Sequence, residues 1–203
     1  SHNNHNHTPM IYYTLTGRPV ERPGEDNDVR PPQRADFPHL GAVLSRLKGA
    51  PRELPGYVAL PELAVRSSVS GEFKRSRPPL RGGGAGFLGP LLDPLSVNGE
   101  PGKADAIPAL APPAQVAAER HQRRSALLSV VNQRGPSRPP AEALASLQRQ
   151  AVVLSGSRGG KVFSLDDEPS RVQDRYGRHR FGKAMLLARR LAEAGVPMTA
   201  IHF

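Results

Sequence analysis

The sequence predicts an α/β fold: a mainly parallel sheet flanked by helices and joined by long Pro/Gly-rich loops. Three observations predict it. Residues 176–203 read as an amphipathic helix, a short turn and an apolar strand, which is the αβ half of a βαβ unit. Tyr57-Val-Ala-Leu60 is a brief apolar run bounded by Pro55-Gly56 and Pro61, as suits a strand buried on both faces. The 20 glycines and 22 prolines exceed ordinary globular usage without reaching the level where disorder is the default, so long loops are expected on a real core. A chain of 203 residues suffices for one good-sized domain.

The first helix is expected over Pro9 to Thr16. Thr8 can cap its free N–H groups, Pro9 is tolerated at the first helical position, and Gly17 supplies a left-handed stop. Its positive end faces His5 and His7 and favours a phosphate or sulfate there by about 0.3–1 kcal/mol from the dipole alone. The imidazoles of His2, His5 and His7 are interleaved with Asn and run straight into this helix, so they read as part of the protein rather than as an added tag.

Residues 18–37 form a Pro/Arg/Asp-rich connection without periodicity. A second helix follows over 38–47, with Leu40, Val43, Leu44 and Leu47 on one face and Gly49 past its end. Residues 66–112 read as loop, centred on Arg81-Gly-Gly-Gly-Ala-Gly-Phe-Leu-Gly-Pro90, and a loop of that length is functional or a surface excursion. Its glycines fail the phosphate-loop test, because Phe87-Leu88-Gly89-Pro90 stands where Lys and Ser or Thr are needed. A tight turn that plugs Phe87 and Leu88 into the core is preferred to a ligand cradle.

Helices are predicted over 113–132, carrying Val116, Leu127, Leu128 and Val131 among charges, and more weakly over 140–154. Residues 156–160 break the pattern. Phe163-Ser-Leu-Asp-Asp-Glu-Pro169 then leads into a helix over 176–194 whose buried stripe is Phe181, Ala184, Met185, Ala188 and Leu191. Gly195 ends it, Pro197 forbids its return, and Met198 to Phe203 reads as an interior strand.

Charge narrows the partners. The net charge of +10 rests mostly on Arg, whose planar fork suits sulfate, phosphate and carboxylate, so an anionic partner such as a small-molecule or polysaccharide ester is compatible with it, while a solvated basic surface is the plainer account. The arginines are scattered through loops rather than gathered in a stripe, aromatics make up 5%, and no nucleic-acid motif is present, which argues against specific nucleic-acid binding. No apolar run is long enough to span a membrane. The lack of cysteine excludes disulfides and thiol chemistry but names no compartment. The chain neither opens on Met nor carries a secretory leader, as expected of a trimmed or fragmentary chain.

The stretch His7-Thr-Pro9 through Leu15-Thr-Gly-Arg18 resembles the sulfatase signature, in which a nucleophilic Cys or Ser is followed by Pro two residues on and then, after a turn or two of helix, by Leu-Thr-Gly-Arg. On that register His7 takes the nucleophile's place. Sulfatases oxidise the nucleophile to formylglycine and steady it with an Arg four residues later, where this chain has Ile11. Further blocks widen the resemblance: Phe37-Pro-His-Leu-Gly-Ala-Val-Leu-Ser45, Tyr57-Val-Ala-Leu-Pro61, Gly83-Gly-Ala-Gly-Phe-Leu-Gly-Pro90, Asp167-Glu-Pro169, Tyr176-Gly-Arg178 and Leu186 to Val196. In this order they resemble domain-of-unknown-function family 1501, a sulfatase-like family of the alkaline phosphatase superfamily. The resemblance implies a partial alkaline phosphatase/sulfatase-like domain, one incomplete domain over 1–203 with loop-rich excursions at 18–37 and 66–112. It also implies a periplasmic or secreted location and a divalent metal, Zn, Ca or Mg, most of whose ligands lie outside this chain.

Site candidates follow from both readings. His7 and Thr8 are the catalytic candidates and Arg18 the anion-binding one, while His7, His5 and His202 are candidate metal ligands, with His2 able to assist. For the histidines a solvated or hydrogen-bonded role stays open, and for Thr8 the capping role. His39, His121 and His179 read as surface residues of helices or helix starts, and Asp166, Asp167 and Glu168 as acids favouring the positive end of the helix after Pro169. The leading expectation is metal-dependent hydrolysis of a sulfate or phosphate ester by the intact protein, this segment alone being inactive. The competing class is a non-catalytic anion- or carbohydrate-binding protein on a degenerate sulfatase fold, for which the missing formylglycine precursor and Ile11 speak. A basic module for acidic polymers rests on charge alone.

Overall fold

A computed structural model describes residues 7–19, 32–51, 54–60, 81–97, 99–103, 107, 118–134, 145, 147–148, 151, 154 and 161–201. They fall into two compact units, Ser1–Pro51, Pro55–Ser96 and Gly195–Phe203 in the first, Arg52–Leu54 and Val97–Ala194 in the second.

The first unit is α/β. It holds helices α1 (His7–Thr16) and α2 (Leu40–Lys48) and an open sheet of three parallel strands, β1 (Tyr57–Leu60), β2 (Leu95–Ser96) and β3 (Met198–Ile201), in the order β2-β1-β3. The strand register sets Tyr57 against Met198, Leu60 against Ile201 and Val58 against Leu95. As its apolar run predicts, β1 is buried, and it is the central strand. One expectation is corrected. The stretch 66–112 is not all loop, because two 3-10 turns (Gly86–Leu88 and Pro90–Leu92) lead into β2, a strand too short for periodicity to reveal. Among the described strands β3 lies at the sheet edge, as expected of a strand whose further neighbours belong to flanking segments; His202 and Phe203 fall outside the described residues.

Helix α2 shows the sheet a different face from the one its large residues predict. Gly41, Ala42 and Ser45 are buried, while Leu40 and Leu47 are exposed. The reason is closeness: a Cβ at Gly41 would lie 2.7 Å from the Tyr57 ring and 2.9 Å from Met198 Cγ, and one at Gly56 would lie 2.1 Å from Ser45 Oγ. Only small residues allow that approach. The core they close contains Ala42, Tyr57, Ala85 and Ala200, with Leu88, Leu92 and Met198 packed around it. Leu88 thus packs as predicted, but Phe87 does not enter the core; it is 58% exposed and sets an edge against the Phe37 ring.

The second unit contains α3 (Ala118–Arg134), α4 (Ser170–Tyr176) and α5 (Arg180–Glu193). The helix expected over 176–194 starts later, as α5 at Arg180; Tyr176 instead closes α4, which Gly177, with a φ of +89°, stops in the left-handed region. The expected stripe on α5 is also corrected: Ala184, Leu187 and Leu191 are buried on one side and Gly182 and Leu186 on the other, leaving Met185 exposed. A Cβ on Gly182 would lie 2.2 Å from the carbonyl oxygens of Tyr176 and Gly177, so the end of α4 sits directly on α5 there. The expected helix over 140–154 falls mostly outside the described residues.

Candidate functional site

The candidate site is organised by α1. That helix begins at His7 rather than Pro9, which places Thr8 inside the first turn instead of at the cap and Pro9 at the third helical position. Pro is tolerated there because the first-turn N–H groups have no partner within a helix. The side chains of His7 and Thr8 lie outside what the structure describes.

From its middle to its end α1 is clamped. The Tyr12 hydroxyl, buried, accepts the backbone N–H of Phe37 at 2.8 Å. Arg81 sets its guanidinium 5.1 Å from the Tyr12 ring centroid and reaches Asp36 Oδ1 with Nε at 2.9 Å and Nη2 at 2.7 Å. Asp36 is only 6% exposed, and its other oxygen accepts the N–H of Gln33 at 2.8 Å. Both of its oxygens are therefore engaged.

The glycine-rich loop closes this clamp with its backbone. Gly84 O accepts from His39 N–H at 2.8 Å, Gly83 O accepts from the Tyr57 hydroxyl at 3.2 Å, and Asp36 O accepts from Phe87 N–H at 3.2 Å. A Cβ on Gly86 would stand 2.0 Å from Asp36 O, so the residue there must be glycine on grounds of space as well as its φ of +49°. Asp93 holds the far end, accepting Ala85 N–H at 2.8 Å and both Nη groups of Arg34.

Residues 1–203 match the model of the family described as Protein of unknown function (DUF1501). The chain belongs to that family. No curated relative and no solved structure matches it.

In this DUF1501 chain the remaining sequence candidates take definite places. Arg18 lies beyond the carboxyl end of α1 with its guanidinium 5.3 Å from the Phe37 ring centroid, about 15 Å of helix away from the His7 end. The structure does not bring Arg18 to His7. His2, His5 and His202 lie outside the described residues, as does the His121 side chain.

His39 is corrected from a surface residue to a buried one. It is 2% exposed, stacks on Tyr57 with ring centroids 4.7 Å apart, and caps α2 by accepting Gly41 N–H at Nδ1, 2.8 Å away. Burial in turn pushes the Tyr57 phenol well up from its ordinary range. His179 is exposed, and it caps α5 in the same way through Gly182 N–H.

Glu168 is corrected too. It makes no cap on α4, whose start has no side-chain cap; instead the residue is half-buried and its side chain, 7% exposed, accepts from Arg189 at 2.9 Å and Arg190 at 2.8 Å, both on α5. Burial works to raise its carboxyl pKa, but the hydrogen bonds and charges of Arg190 and Arg189 prevail and hold it below the usual carboxylate value.

Among the described residues no three His, Asp or Glu side chains come together as a metal site. The candidate ligands His5 and His202 and the side chain of His7 lie outside those residues. A cavity of about 260 Å³ in the second unit is lined by Lys103, Asp166, Gln173 and Lys183 among others. Lys183 is committed to Glu100 at 2.8 Å, and none of the predicted catalytic, anion or metal residues lines this space.

Sequence reasoning missed Asp36, Arg81 and Tyr12. A signal existed: Asp36 is a lone acid directly before the Phe37-Pro-His39 block, and Arg81 opens the glycine run.

Proposed function

We propose that this DUF1501 protein takes a sulfate or phosphate ester at the start of α1, on a domain of sulfatase or alkaline phosphatase type, and hydrolyses it. The observation that supports this most is that α1 begins at His7, so His7, Thr8 and Met10 carry the first-turn N–H groups that have no partner within the helix and favour an anion, Pro9 having none. The clamp of Tyr12 on Phe37 and Arg81 on Asp36 gives that helix a fixed direction. In this reading His7 lies beside the ester oxygen, Thr8 offers a hydroxyl, and the protein works in a periplasmic or secreted setting. The divalent ion that the resemblance implies, Zn, Ca or Mg, is supplied in the test.

The test uses protein expressed from its whole reading frame, with each of these ions added singly. Aryl sulfate and aryl phosphate turnover is measured beside equilibrium binding of inorganic sulfate and phosphate. Expected is saturable anion binding weakened roughly tenfold by His7→Ala, with turnover abolished by the same change. Binding and turnover that His7→Ala and Thr8→Ala both leave intact would overturn the proposal.

Ile11 favours a second reading. This exposed apolar side chain stands where sulfatases carry the arginine that steadies their nucleophile. A non-catalytic anion- or carbohydrate-binding protein fits that replacement, and anion binding without turnover under every ion would select it.

A further inference from the structure

The exposed face of α3 carries a second kind of information. Arg120, Arg123, Arg124, Leu127, Val130 and Val131 are all exposed and recur at spacings of three and four, which at about 100° per residue places them in one stripe along the helix. The stripe changes character halfway. Its first half is three arginines and its second half three aliphatic side chains, with Leu127 65% and Val131 57% exposed. From Arg120 to Val131 it runs roughly 16 Å.

Its charges are largely uncommitted. Arg123 has Glu119 at 3.9 Å one turn back, a fully solvated pair of little strength, while Arg120 and Arg124 have no ion-pair partner among the described residues.

We propose that this stripe docks one helix of a partner protein, with acidic side chains against the three arginines and aliphatic side chains against Leu127, Val130 and Val131. Spacing by three and four is that of a helix–helix seam. The charge pattern then chooses the occupant. A second copy of this chain fails, because laid parallel it sets arginine on arginine and laid antiparallel it sets arginine on aliphatic surface. A lipid surface fits less well: a helix lying in a membrane interface carries a long apolar face with bases on the polar side, whereas here the arginines stand in line with only three aliphatic residues. A helix that is acidic at one end and aliphatic at the other satisfies both halves at once.

The test titrates the full chain with a fluorescent helical peptide of about 18 residues, Glu at the seam positions of one half and Leu at those of the other. A charge-reversed peptide with Lys for Glu and a scrambled peptide of the first composition serve as comparisons. Expected is binding of the Glu–Leu peptide roughly tenfold tighter than of the other two. The double variant Arg120→Glu/Arg124→Glu should turn the preference toward the Lys peptide, and Leu127→Ser/Val131→Ser should remove most of the binding. All these substitutions lie on an exposed face, and circular dichroism is expected to show unchanged helix content. Equal binding of the scrambled peptide would reduce the effect to the pull of a chain of net charge +10 and overturn the proposal. Preference for phosphatidylserine vesicles over the peptide, or self-association abolished by Leu127→Ser/Val131→Ser, would overturn it equally.

Discussion

Arg81, half-buried, and Asp36, buried, form a two-pronged pair 45 residues apart in the chain, and the same guanidinium covers the ring of Tyr12 on α1. One side chain thereby ties the glycine-rich loop, the connection before α2 and the first helix together. Breaking such a pair from one side strands the other charge away from water, which costs more than the pair itself is worth.

Arg81→Ala should therefore destabilise the first unit by about 3 kcal/mol, because Asp36 is left buried and charged. Asp36→Asn added to Arg81→Leu should recover part of that loss. Urea unfolding of the single and double variants measures both; equal stability of Arg81→Ala and wild type would mean the pair is solvated.

The glycines separate space from conformation. Gly86→Ala meets both a positive φ and the Asp36 carbonyl, whereas Gly17→Ala has a positive φ of +70° with open space around it. The expected losses are roughly 1 kcal/mol for Gly17→Ala and clearly more for Gly86→Ala. Gly41→Ala, with ordinary helical φ, should still destabilise because its methyl meets Tyr57 and Met198. Thermal melts that rank Gly17→Ala as the worst of the three would contradict this packing.

His39 gives a capping prediction. His39→Ala removes the acceptor for Gly41 N–H and should cost about 0.5–2 kcal/mol, with the lost stacking on Tyr57 adding to it. His39→Asn keeps an acceptor at the cap and should cost less. Matched denaturation curves decide the order of the two.

Glu168 predicts an acid limb. Its folded carboxyl sits below the ordinary glutamate value of 4.5, so its contribution is fully present above that pH and is lost as pH falls through the folded value. Stability of the second unit should fall in that acid window, and Glu168→Gln should flatten this part of the profile while lowering stability at neutral pH. Unfolding free energy measured across the acid range, with parallel slopes for variant and wild type, would exclude Glu168 as the source.

Much of the fold was legible because its signals are local. The run Tyr57 to Leu60 announces a buried strand, Gly195 and Pro197 mark the passage into β3, and Gly17 and Gly49 mark helix ends. What was not legible depends on close approach between distant segments. Nothing in Leu40-Gly-Ala-Val-Leu-Ser45 says that glycine and alanine, not leucine, face the sheet; that follows from how tightly Tyr57 and Met198 press on α2. The same holds for Glu168, read as a helix-end acid but bound by two arginines on α5. In the candidate site the His-Thr-Pro segment stood out from its motif, whereas the Asp36–Arg81–Tyr12 clamp joins residues whose separation hides it.

The proposed anion site is the first turn of α1. Its most direct measurement is a phosphate and sulfate titration of uniformly labelled protein followed by amide NMR. Saturable shifts are expected to be largest at the His7 and Thr8 N–H groups, with Arg18 and the loop arginines little affected, and to need roughly tenfold more anion in His7→Ala. Shifts spread over the scattered arginines, with the α1 amides unmoved, would contradict it.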